Sequence, residues 1–263
     1  MAVKKKNPTF QRMIGGITGG KKLEPLIFNA LNDPQHKGFN MKVRSGKGSN
    51  RPPDGWFHPS THPLWTERQL YYYLAEPEAM VKEPFDYLGT LATTGGTFWH
   101  EFMQHILIDA GVLKDTEVYV EDPECGSRGA MDGHLVFDEA WEFKTMYGLK
   151  MKKFTELGPP DSPELLAVFK DKCPEYWAQA QEYLRMSGFR TMRFTIMEIG
   201  FPFTMAEIAV PYTPQDALPI RDKYMRVRQA VADQVLPQPC CIPGSQMART
   251  CVARDVCPIG RLA

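Results

Sequence analysis

GAMDGHLVFDEAWEFK, residues 129–144, reads as two short strands folded back on each other. Residues 130–137 and 140–145 form the strands, and Asp138-Glu139 supplies the turn between them. Asp132 on one strand and Glu142 on the next can converge on one hard cation such as Mg²⁺ or Mn²⁺, because such ions take carboxylate oxygens. Lys144 follows Glu142 by two residues and therefore shares its strand face. An ammonium there can orient an attacking water or stabilise charge on a pentavalent phosphorus. An exposed E-x-K is more often an ordinary charge pair, so the motif gains meaning only from its neighbours.

Outward from this hairpin the period changes. Upstream, residues 97–111 (TFWHEFMQHILIDAG) place Phe98, Phe102, Ile106 and Ala110 four apart, an amphipathic helix closed by Gly111. Gly95-Gly96 leads into this helix, which carries His100. A short helix is expected near residues 22–31, another over 66–75 with Thr66 as N-cap and Pro77 at its end, and a strand over 117–121. Downstream, residues 150–163 read as a polar, proline-containing loop. Residues 174–187 form a helix with Pro174 in its first turn and Gly188 past its end. Strands over 192–200 and 206–211 and a helix over 214–235 complete the series. The order predicts an α/β domain with a mixed central sheet flanked by helices.

The 263 residues divide on this reading into a basic, mostly irregular N-terminal arm (1–55), a core (56–236) and a cysteine-rich C-terminal segment (237–263) that closes the domain. Lys and Arg number 31, as do Asp and Glu, yet the arm holds eleven basic residues against three acids, so the rest must be acidic in balance. A basic arm suits a polyanion, while an acidic body suits cations; a solvated tail is the plainer alternative. No apolar run approaches the ~20 residues of a membrane span, and the first residues lack an apolar signal core. A cytoplasmic protein without a membrane role is the expectation.

Six cysteines occur, none before Cys125. Cys240, Cys241, Cys251 and Cys257 crowd the last 24 residues. In a reducing compartment such grouping points to metal or an iron–sulfur cluster rather than to disulfides. Zinc and plain buried thiols are the rival readings.

Four elements thus follow in order: His100 on a helix, Asp132 in G-x-x-D, Glu142-Phe143-Lys144, and Gln179 with Tyr183 on the next helix. This set resembles the RecB-like branch of the PD-(D/E)XK nuclease superfamily, in particular the Cas-four-type exonucleases. The histidine matches within Gly96-Thr97-Phe98-Trp99-His100, and Gln179-Ala180-Gln181-Glu182-Tyr183 matches the family's Q-x-x-x-Y helix. The resemblance covers residues 57–257. It implies a restriction-endonuclease-like core and metal-dependent DNA exonuclease activity. His100, Asp132, Glu142 and the Phe143 carbonyl would hold one or two Mg²⁺ or Mn²⁺ ions. Lys144 would be the catalytic lysine, and Gln179 and Tyr183 would position DNA and that lysine. Lys42, Arg44, Lys47 and Arg51 of the arm, with Lys150, Lys152 and Lys153, would contact phosphates. Cys251-x5-Cys257-Pro258 resembles the end of the family's pattern for a four-iron four-sulfur (4Fe-4S) cluster. The family's cysteine three residues before Cys251 is Ala248 here, and its early cysteine is replaced by Trp65-Thr66, so Cys240 and Cys241 would complete the set. The resemblance further suggests a phage enzyme of DNA recombination, a single-strand annealing protein as partner, and self-association into an oligomer. A structure-specific or spacer-trimming endonuclease of the same fold, and an inactive iron–sulfur or zinc DNA-binding module, are the alternatives.

Overall fold

The computed structural model describes residues 21–32, 54–80, 87–146, 154–199 and 204–262. Strands β1 (Leu113–Asp122), β2 (Ser127–Leu135), β3 (Ala140–Met146), β4 (Thr191–Glu198) and β5 (Met205–Pro211) form one sheet in chain order. All neighbouring pairs are antiparallel except β3 and β4, which are parallel. The helices are α1 (Glu24–Leu31), α2 (Glu67–Ala75), α3 (Tyr87–Asp109), α4 (Pro163–Lys172), α5 (Pro174–Ser187), α6 (Pro214–Ala232) and α7 (Gln246–Thr250). A parallel pair needs a crossover connection, and here α4 and α5 lie within it. This is the mixed sheet flanked by helices that the sequence predicts.

The alternation of β3 sorts its side chains between two cores. Trp141 and Phe143 pack with Leu23, Leu26 and Ile27 beside α1 and with Met103, Ile106 and Leu107 of α3. Ala140 and Met146 pack with Phe169 of α4 and with Trp177, Ala180 and Leu184 of α5. Burying a side chain of this size contributes about 1.5–3 kcal/mol, so each face is anchored by several such groups. A third core, off the sheet, gathers Phe57, Leu70, Tyr73, Tyr224, Val256 and Cys257, and it fastens the C-terminal segment to α2 and α6.

Several element bounds depart from the expected ones. Helix α3 starts ten residues before Thr97 and runs through Gly95-Gly96. Glycine costs about 1 kcal/mol in a helix but does not stop one, and the buried face of α3 outweighs that cost. Helix α4 begins at Pro163, the last residue of the expected loop, and fills the stretch before Pro174 to which the sequence reading gives no element. Its start signal is present, since the Ser162 hydroxyl accepts from the Leu165 N–H and Pro163 takes the first turn. Helix α1, expected within an irregular arm, is tied to the sheet: buried Glu207 of β5 accepts the N–H groups of Lys22, Leu23 and Glu24 at 2.9, 2.8 and 2.7 Å. Lys22 also donates to Glu139 at 2.5 Å, and Lys21 pairs with Glu24. Both lysines of the basic arm thus face carboxylates.

Between β2 and β3 the ladder holds only Gly133↔Trp141 and His134↔Ala140. Past that point the strands part, and the Phe143 N–H donates to Asp132 Oδ2 at 2.8 Å. The carboxylate replaces a strand neighbour, which satisfies the amide while opening the sheet beside Phe143.

Candidate active site

Charge collects where β2 and β3 separate. Glu142 is turned to the α5 face, where its Oε1 accepts from Lys144 Nζ and from Gln179 Nε2, both at 2.8 Å. Its Oε2 is buried and has no hydrogen-bond partner, although the side chain is only 4% exposed. Burial lifts the Glu142 carboxyl well above the ordinary range and the Asp132 charge adds to this, against the pull of Lys144. Burial disfavours the Lys144 ammonium, but Glu142 and Asp132 hold its pKa above the usual value. The Lys144 ammonium lies 5.3 Å over the Tyr176 ring.

On the α3 face, His100 Nε2 lies 3.3 Å from Asp132 Oδ1 without the alignment of a hydrogen bond. Burial would lower the His100 pKa, yet Asp132, with Glu117 and Glu142 behind it, raises it. Glu117 of β1 completes this side. The ligand atoms of His100, Glu117 and Asp132 lie within 4.8 Å of one another, and among the described residues no other such trio of His, Cys, Asp or Glu occurs. Gln104, one turn after His100, donates from Nε2 to both Glu117 Oε1 and the Asp132 carbonyl at 3.1 Å.

By resemblance His100, Asp132, Glu142 and the Phe143 carbonyl would hold one or two ions; the structure groups His100 and Asp132 with Glu117, while β3 turns Glu142 to the opposite face. Gln179 and Tyr183 are each 3% exposed. Gln179 holds Glu142, and the Tyr183 hydroxyl donates to the Ala130 carbonyl at 2.8 Å. Gly129 permits that contact, since a Cβ there would sit 3.0 Å from the Tyr183 ring and hydroxyl. The two residues therefore position the strands that carry Glu142 and Asp132. Lys42, Arg44, Lys47, Arg51, Lys150, Lys152 and Lys153 lie outside the described residues.

Glu117, Gln104 and Tyr176 are absent from the sequence reading. Gln104 and Tyr176 carried a faint signal, being one turn from His100 and from Gln179 on the same helix faces. Glu117 carried none.

The four late cysteines line one cavity together with Arg68, Gln69 and Ala248. Cys240 and Cys241 both face it despite being adjacent. Gln69 Nε2 lies 3.5 Å from Cys251 Sγ, and Arg68 Nη1 lies 3.8 Å from Cys257 Sγ. Burial raises the Cys257 pKa, but the amides of Gly260 and Ile259 and the Arg68 guanidinium more than offset this and bring it below the ordinary thiol value. The first residues of α2 thus meet the tail. No three of these sulfurs approach within 4.8 Å of one another.

No family model matches the chain, and no curated protein matches it. Solved structures to which the chain is similar include an alkaline exonuclease, LHK-Exo, from Laribacter hongkongensis. It is 12% identical with a TM-score of 0.48, over 68% of this chain and 89% of that one. The same protein in complex with dAMP gives 13% and 0.46, over 69% and 90%. The protein SSO0001 gives 12% and 0.40, over 92% and 99%. Among the described residues no helix is long and apolar enough to cross a membrane.

Proposed function

We propose that the chain is a metal-dependent deoxyribonuclease that hydrolyses phosphodiester bonds from DNA ends. The observation that carries this reading is the buried, unpartnered Glu142 Oε2, electrostatically coupled to Asp132 and one strand step from Lys144. An unpaired buried oxygen costs about 1–3 kcal/mol, a penalty that a cation ligand relation removes. Glu142, Asp132 and the Phe143 carbonyl offer a hard oxygen set suited to Mg²⁺ or Mn²⁺. A divalent ion held there polarises a phosphoryl oxygen and lowers the pKa of a bound water.

The protein groups have separable tasks. Gln179 and Lys144 fix Oε1 of Glu142, so that Oε2 keeps a single direction. Asp132 is fixed by the Phe143 amide. Lys144, with its side chain 20% exposed, stabilises negative charge growing on the phosphorus oxygens. Action from ends, rather than within a strand, rests on the likeness of the ordered motifs to Cas-four-type exonucleases. The same reading assigns a 4Fe-4S cluster to Cys240, Cys241, Cys251 and Cys257, supported by their shared cavity.

End-labelled linear DNA and closed circular DNA, each with Mn²⁺ and with chelator, test the proposal. Linear DNA shortens with Mn²⁺, the circle survives, and chelator protects both. Intact linear DNA in Mn²⁺ overturns the reading, and a cut circle turns it to an endonuclease of the same fold.

A further inference from the structure

The β1–β2 ribbon runs on past the site, and its outer half carries aromatic groups on the face that holds Asp132. Helix α3 meets the ribbon through His100 and Gln104 beside Asp132, whereas farther along β1 Tyr119 stands 56% exposed. Two observations fix which way the side chains point. A Cβ at Gly129 would meet Tyr183 of α5, so its neighbours Arg128 and Ala130 turn to the other face, with Asp132. Val118 and Val120 pack against the α5 core, so Tyr119 between them also turns away from α5, opposite Ala130 in the ladder.

The segment before α2 lines the edge of β2 at this end, where Phe57 bridges to Ser127. Phe57 is buried in the third core, and Trp56 beside it covers Arg128, whose guanidinium lies 4.9 Å from the ring centroid. Each group is held in place. Arg128 donates to Asp54 Oδ2 at 2.8 Å, the Tyr73 hydroxyl donates to the Trp56 carbonyl at 3.1 Å, and the Tyr119 hydroxyl donates to Glu121 at 2.9 Å.

We propose that Trp56, Arg128 and Tyr119 form a ledge on which unpaired bases stack, belonging to the DNA strand that enters the site. The proposal deepens the nuclease reading and rests on it. Arg128 precedes Asp132 by four residues on one strand face, about 13 Å, or about four steps of a stacked strand at ~3.4 Å each. A strand whose scissile phosphate lies at Asp132 therefore brings its next few bases to the ledge. Charge decides between a single strand and a duplex. Asp54 offsets the Arg128 charge, and Glu117 and Glu121 stand on the same face, so the strip is no phosphate clamp. A duplex lays phosphates against it and meets like charge. A single strand turns its phosphates to solvent and its bases to the rings. The planar guanidinium, already stacked on the indole, extends the flat surface.

Titration of the full chain, in chelator, into a single-stranded oligonucleotide with 2-aminopurine near its end tests the inference, because stacking quenches that base. The wild type binds and quenches it. Tyr119→Ala and Trp56→Ala each weaken binding by about fivefold to a hundredfold and leave the probe bright, since a base–aromatic stack contributes that much. Tyr119→Phe and Trp56→Phe keep a ring and bind within about twofold of wild type. Tyr119 is exposed, so its Ala variant melts within a few degrees of wild type and the loss is not one of folding. In Mn²⁺ both Ala variants raise KM for single strands far more than they lower kcat. Unchanged affinity and quenching in both Ala variants overturns the ledge. An equal loss on a duplex of the same sequence overturns the single-strand assignment. Binding and quenching without cleavage leave the ledge and remove the nuclease, whereas cleavage by a wild type whose probe stays bright leaves the nuclease and removes the ledge.

Discussion

Every donor near Glu142 belongs to a strand or to the interior of a long helix: Glu117 to β1, Asp132 to β2, Glu142 to β3, His100 to α3 and Gln179 to α5. Around the cysteines the chain is of another kind. Cys240 and Cys241 follow the irregular stretch after α6, Cys251 caps a five-residue helix, and Cys257 lies among turns. The backbone there closes by local contacts, such as Cys257 N–H to the Ala253 carbonyl at 2.8 Å. A sheet holds its side chains whether or not an ion is bound. Short turns do so only if something bridges them. The carboxylate site should therefore keep its structure without an ion, whereas the cysteine pocket, with the proposed cluster bound, should be the more disturbed by its removal, its packing on α2 and α6 apart.

The largest effect comes from breaking the rigid side chemically without disturbing it. Glu142→Gln keeps volume and hydrogen bonds but removes a charged ligand. It should lower kcat by about 10³-fold or more, roughly 4 kcal/mol, while Tm stays within a few degrees. Single-turnover cleavage and thermal melting read the two quantities. A variant that cuts at wild-type rate would take Glu142 out of the chemistry.

The matching change on the soft side should do the reverse. Binding energy in such a pocket is folding energy, so Cys257→Ser should lower Tm by roughly 10 °C and bleach the brown colour expected of anaerobically purified protein. Activity then falls through unfolding, and at temperatures below the melt kcat stays near wild type. Iron and sulfide in near-equal amounts support the cluster, one zinc per chain supports the tetrahedral alternative, and neither metal leaves plain thiols.

A third test uses pH to separate the two regions. His62 lies in the aromatic layer that joins the tail's core to the sheet, with its ring 4.8 Å from Trp65 and 4.4 Å from Tyr73. Burial, and then the charge of His58, lower its pKa from 6.5 to about 3. The folded value is below the unfolded one, so on acidification the unfolded state takes up the proton first. Stability is full above pH 6.5 and is lost as pH falls toward 3. By pH 4 the loss is roughly 3 kcal/mol. Asp54, which is held at about 2 although burial opposes this, chiefly by Arg128, contributes only below its ordinary 3.8. Denaturant unfolding of His62→Gln should lose this contribution between pH 6.5 and 4, so that its slope there differs from that of the wild type, and an unchanged slope would locate the acid limb elsewhere.

The contrast also explains what could be read in advance. Helix α5 announces itself by Pro174 at its start and Gly188, at φ of +76°, past its end. The β2–β3 turn does so through Asp138, which takes a positive φ of 64°. Both signals are local. Helix α4 was legible in Ser162-Pro163 but hidden by Pro159 and Pro160, which read as breakers. Glu117 was not legible, since its alternation marks it as a solvent residue and only a cross-strand partner fifteen positions away gives it a task. Arg68 and Gln69 meet cysteines some 180 residues later, a contact that only the packing of α2 on the tail creates. The order of motifs was visible because each sits in its own element, whereas the grouping of ligands was not, because β3 sends alternate residues to opposite faces.

The smallest expected effect falls on the orientation of Lys144. The Tyr176 ring lies under its ammonium and is itself stacked on Phe194 at 6.2 Å between centroids. Lys144 already has Glu142 as an ion partner, so the ring fixes direction rather than charge. A buried cation over an aromatic face is worth about 0.5–2 kcal/mol. Tyr176→Leu keeps most of the apolar contact with Phe194 but removes that face, leaving the ammonium free to swing. The rate should fall by about threefold to thirtyfold, with DNA affinity nearly unchanged. Tyr176→Phe retains the ring and should cut within about twofold of wild type. Equal losses in both variants would assign the effect to the hydroxyl instead, and a loss of affinity matching the loss of rate would make Lys144 a binding contact rather than a group that acts on the transition state.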